Sequence, residues 1–76
     1  MMPLTFAREN QAVRVFSIRG GRGIAAKLRG MGIRPGALVV PIGKTAGGPV
    51  LLMVAGSRIA LGKGVAQRIL VEETNE

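Results

Sequence analysis

With 76 residues, 47% of them hydrophobic, the chain holds one compact domain at most, and zero cysteines and histidines exclude disulfide staples, thiolate or imidazole catalysis and zinc-ribbon or haem ligation. Eleven Lys and Arg against four acids give +7; three of those acids, Glu72, Glu73 and Glu76, crowd the C-terminus, so residues 1–71 carry +10, eleven cations against Glu9 alone. Such a field attracts nucleic acid, anionic lipid or an acidic protein face, while MMPLTFAREN lacks the apolar stretch of a signal peptide and the longest apolar run, Pro49 to Ala55, is about a third of a bilayer span.

From Ala12 to Ile18 the chain reads AVRVFSI, β-branched and aromatic and halted by Gly20-Gly21, which predicts a first strand with Phe16 in its apolar middle as a core residue. Ile24, Leu28 and Met31 follow at i, i+4 and i+7, one face of a helix about nine residues long. Gly32 past its end places Leu28 at C3 and Ile33 at C″, the pair that makes the hydrophobic contact of a Schellman cap, and Lys27 and Arg29 suit the negative helix end. Arg34-Pro35-Gly36 carries type II turn chemistry. The run ALVVPI then predicts a second strand, at an edge or bulged at Pro41, which has no N–H for a ladder. KTAGGP turns the chain into a third strand, Val50 to Ala55, and Gly56-Ser57 turns it into a fourth, Arg58 to Leu61. A helical turn near Gly62 to Gln67 precedes a fifth strand, Arg68 to Val71, and an acidic tail.

Five short strands, one short helix and twelve glycines predict a mainly β fold, a small and strongly bent barrel, because closure removes the edges that a small sheet cannot protect. Gly21 to Ala26 matches the G-x-G-x-x-A spacing of a dinucleotide turn, yet no acidic residue lies some 20 positions on, where Pro41, Ile42 and Gly43 stand. The segment reads instead as a loop that places the helix. Met31 and Met53 sit on apolar faces and read as core rather than metal ligands, and with carboxylates scarce no oxygen cage for a cation is expected from one chain.

Gly20 to Gly36, GGRGIAAKLRGMGIRPG, resembles the signature of the FeoA family, small accessory proteins of bacterial ferrous iron uptake: Lys27-Leu28, then Met31-Gly32-Ile33, then Pro35-Gly36. Gly47-Gly48-Pro49, Ser57-Arg58-Ile59-Ala60-Leu61 and Ala66-Gln67-Arg68-Ile69-Leu70-Val71 extend the resemblance over about residues 12 to 72. It departs at Ala7 to Gln11, where relatives often carry a Gly-containing turn. The resemblance implies a small SH3-like five-stranded barrel with no catalytic centre and no cofactor. It also implies a cytoplasmic protein that is not membrane-inserted and that binds the cytosolic GTPase portion or cytosolic face of the FeoB permease, to regulate or assemble it, with weak homo-oligomers compatible.

Partner-binding candidates are Arg22, Lys27, Leu28, Arg29 and Met31, which join cations to apolar neighbours on and beside the first helix. A sharper version of the same function would use Arg19 or Arg22 as a finger in GTP hydrolysis. The alternative from composition alone is a small basic barrel binding RNA or DNA backbone. Few aromatic platforms, Phe6 and Phe16 only, argue against single-strand binding.

Overall fold

The computed structural model describes residues 1–74. Among them six strands form one antiparallel sheet: β1 (Met2–Pro3), β2 (Val13–Ile18), β3 (Leu38–Lys44), β4 (Val50–Val54), β5 (Ser57–Leu61) and β6 (Ile69–Glu73), in the spatial order β1-β6-β2-β3-β4-β5. A 3₁₀ turn (Leu4–Phe6) follows β1, helix α1 (Arg22–Gly30) joins β2 to β3, and the single turn α2 (Lys63–Ala66) joins β5 to β6. The mainly β class and the one short helix agree with the sequence reading. The strand after α1 returns antiparallel to β2, which disposes of the dinucleotide reading of Gly21 to Ala26.

Inside the bent sheet lie Leu4, Val13, Val15, Leu28, Ile33, Val39, Leu52, Val54, Leu61, Ile69 and Val71, all buried. No polar side chain among the described residues is buried with them. The end of α1 is built as its sequence dictates: the Ile33 N–H donates to Leu28 O at 2.9 Å, the Gly32 N–H donates to Arg29 O at 2.9 Å, and Gly32 has φ +87°. Arg34 to Ala37 close the expected type II turn, with the Ala37 N–H on Arg34 O at 3.0 Å and Gly36 at φ +94°.

Several expectations need correction. The strand count rises from five to six because Met2–Pro3 pairs with Val71 and Leu70 of β6. Leu4 and Ala7, one 3₁₀ turn apart, are fully buried and anchor this N-terminal segment. The acidic tail is in part a strand, since Glu72 lies opposite Arg14 and Glu73 opposite Val13; Glu76 lies outside the described residues. Phe16 is not core: the register of β2 against β6 slips between Val15 and Ser17, and Phe16, the extra residue of that bulge, is 48% exposed.

The bulge expected at Pro41 falls one residue on, at Ile42, the register against β4 slipping between Pro41, which pairs with Leu52, and Gly43; β3 is an interior strand rather than an edge. Pairing with β2 stops at Val39, so the missing N–H breaks no ladder bond there, and the Pro41 carbonyl instead accepts the Asn10 N–H at 2.6 Å.

The turn between the third and fourth predicted strands lies one residue earlier than expected. Val54 pairs with Ser57, and the two-residue loop between them has Ala55 at φ +49° and Gly56 at φ +82°, both left-handed, as a type I′ hairpin requires.

Closure is also incomplete. β1 and β5 end the sheet without pairing to each other among the described residues, and the 3₁₀ turn and α2, which touch, lie beside this seam. Lys44 staples the N-terminal side: its ammonium donates to Thr5 O at 3.0 Å and Ala7 O at 2.8 Å.

Candidate partner-binding groove

Helix α1 carries its apolar residues inward by simple periodicity. Leu28 is 2% exposed and belongs to the core, with Ile24 and Met31 packed partly buried on either side of it. What remains open beside them is a groove of about 200 Å3. Its helix wall is Ile24, Lys27, Leu28 and Met31; its other wall is Ala60, Leu61, Gly62 and Val65, from the end of β5 into α2. Lys27 is the only charged residue among these lining groups, and its ammonium makes no hydrogen bond or ion pair among the described residues.

The five candidate residues therefore divide. Lys27, Leu28 and Met31 meet at the groove, Leu28 as its buried floor rather than as a projecting anchor. Arg22 and Arg29, seven residues apart, fall within about 20° of each other on the helix, and Arg29 lies about 200° around from Lys27. Both arginines are exposed and neither lines the groove. The opposite wall was not foreseen. Ala60 and Leu61 read in sequence only as strand alternation and Val65 as one residue of a weak helical turn; nothing local indicates that they face α1.

A second concavity, lined in part by Phe6, Lys44, Thr45, Lys63 and Gln67, lies beside the N-terminal turn. Phe6 is 72% exposed there, so both phenylalanines of the chain are at the surface. No three of His, Cys, Asp and Glu come together among the described residues. No helix among them is long and apolar enough to cross a membrane.

Comparison with known proteins agrees with this architecture. The FeoA domain family model matches residues 2–73. A relative named Fe(2+) transport protein A from Methanocaldococcus jannaschii is 41% identical over 73 residues, covering 96% of this chain and 88% of the relative. Among solved structures, an iron uptake regulatory protein (FeoA) superposes with a TM-score of 0.89 at 34% identity, covering 96% of this chain and 97% of that one. The FeoA of Stenotrophomonas maltophilia, solved in complex with zinc and described as a procaryotic SH3 domain protein, superposes with a TM-score of 0.79 at 28% identity, covering 95% and 91%. Its description fits the bent sheet seen here, and the chain, matched by the FeoA domain over all but its termini, belongs to the FeoA family of ferrous iron transport accessory proteins.

Proposed function

We propose that this chain acts in the cytoplasm, without catalytic chemistry of its own, by binding the cytosolic GTPase portion or cytosolic face of a FeoB-type permease, and that the groove between α1 and the β5–α2 segment is where it does so. One observation carries the reading: an open apolar groove walled by Ile24, Met31 and Val65, rimmed by an unpaired cation, Lys27, with no carboxylate among its lining residues. Interfaces draw most of their energy from a few buried apolar anchors, while rim charges set encounter rate and partner choice. An acidic partner surface with a protruding apolar side chain complements both parts of this groove. Arg22 and Arg29, on the outer side of α1, add to the attracting field without touching that anchor.

The test is capture of the permease's cytosolic portion by the purified chain, with and without GTP analogues, repeated with Lys27→Glu. Association should weaken by about tenfold with melting unchanged, the effect of one unfavourable charge pair near a desolvated contact. The competing RNA reading is measured on the same samples, where affinity on single strands should fall with log salt at a slope of about −0.7 per phosphate contact. Full permease capture by Lys27→Glu, together with lost RNA binding and unchanged iron uptake in cells, would favour the nucleic-acid reading.

A further inference from the structure

The incomplete closure of the sheet gives the groove a second recognition element. β5 pairs on one side only, with β4, in the register Val54↔Ser57, Met53↔Arg58, Leu52↔Ile59, Leu51↔Ala60 and Val50↔Leu61. In a two-residue hairpin the pair flanking the loop exchanges both ladder bonds, and hydrogen-bonded pairs then alternate along the strands. Val54 and Ser57 flank the loop, so Ser57, Ile59 and Leu61 spend their backbone groups on β4. Arg58 and Ala60 turn their N–H and C=O groups away from it, toward the open edge. No other backbone bond among the described residues claims those groups, and both residues are exposed. Ala60 is at the same time a wall of the groove.

We infer that the open edge of β5 is a strand-addition site: an extended segment of the partner, bearing carboxylates and an apolar side chain, pairs with the backbone of Arg58 and Ala60 and seats that side chain in the groove between Ile24, Met31 and Val65. This deepens the docking proposal above and rests on it. An exposed ladder edge is a template for another extended chain, with main-chain bonds supplying affinity and neighbouring pockets supplying specificity. Charge selects the occupant. Arg58 projects from the edge strand, Lys27 from the facing helix and Lys63 from the turn just beyond, all three exposed and with no side-chain hydrogen bond or ion pair among the described residues. A second copy would bring another +7 chain against this edge, whereas a segment carrying Asp or Glu is drawn to it. Arg58 on an otherwise bare edge also discourages self-pairing, a common protection of such strands.

The test uses the intact chain and the permease's cytosolic portion. Ala60→Pro deletes one outward N–H and leaves the bonds of Ile59 and Leu61 to β4 in place. It should bind about tenfold more weakly, since a partner carbonyl loses its donor. Amide hydrogen exchange on the unmodified chain gives an independent reading should the proline variant misfold: the Arg58 and Ala60 amides should slow on complex formation. If the unmodified chain binds while those two amides exchange as fast as in the free protein, strand addition is wrong and the docking groove stands. If the unmodified chain does not bind the permease at all, both proposals fall. Slowing that grows with the chain's own concentration, without the permease, would assign the edge to a second copy and overturn the inference.

Discussion

Along one side of α1 run Ile24, Leu28 and Met31, and along another run Arg22 and Arg29, all within one short stretch of sequence. The first row is held by burial: Leu28 reaches the core, and the Schellman bonds to its carbonyl from Ile33 and to Arg29 from Gly32 end the helix where Met31 can border the groove. The second row is held by nothing but the helix itself, and its charges point to solvent. Lys27 and Arg29 are two residues apart and equivalent in a charge count, yet one lines an apolar groove and the other stands exposed away from it. A cation's value for recognition depends on what lies beside it, because fully exposed charges are strongly screened while a charge beside a closing apolar contact is screened less.

Five variants break or sharpen this contrast. Leu28→Ala removes the residue common to core and groove floor and should cost about 2–5 kcal/mol, seen in denaturant or thermal unfolding, with partner binding lost through the fold. A variant melting within a few degrees of the parent would mean that α1 is not fixed through Leu28.

Gly32→Val attacks the cap that sets the helix end. At φ +87° a β-branched residue is strained, and a Cβ there would stand 3.3 Å from Cγ1 of Val54. A loss of about 2 kcal/mol is expected, measured as a lower melting temperature.

Charge reversal tests the two rows directly. Lys27→Glu should weaken permease binding by about tenfold, and the double variant Arg22→Glu with Arg29→Glu, although it changes twice the charge, by less than about threefold at physiological salt. Equal losses per charge would show that the long-range field, rather than the groove, does the recruiting.

The smallest effect, and a gain, belongs to the β4–β5 loop that positions the groove's far wall. Ala55 holds φ +49° in a type I′ turn that favours Asn-Gly, and Ala55→Asn should stabilise by about 0.5–1 kcal/mol, raising the melting temperature by a few degrees.

Much of the chain could be read before its structure was known, wherever the determining forces act within a few residues. The helix with its Gly32 cap, the Arg34-Pro35-Gly36 turn and the bulge beside Pro41 follow from backbone stereochemistry, which each residue carries wherever it is placed. So do the strands from Val13 onward, because alternation and β-branching report a half-buried pleat. The errors fell where a neighbour distant in sequence decides. Phe16 looks like core in a run of apolar residues and is outside because β2 bulges against β6; Met2 and Pro3 become strand only because β6 offers them an edge.

The sequence by itself also determined that this domain has no imidazole or thiolate to work with and a strongly basic field, since both are sums over composition. Its motifs were enough to place it among FeoA-like proteins, and its charge and helix pattern made Arg22, Lys27, Leu28, Arg29 and Met31 the partner-binding candidates. Only the tertiary structure decided that Lys27, Leu28 and Met31 meet Ala60, Leu61 and Val65, that Arg22 and Arg29 stand apart from them, and that β5 leaves one edge unpaired beside the groove. Those facts depend on how a bent six-stranded sheet brings its ends around, with α2 and the N-terminal turn beside the seam. Closure of this kind is a property of the whole sheet that no local window of sequence contains.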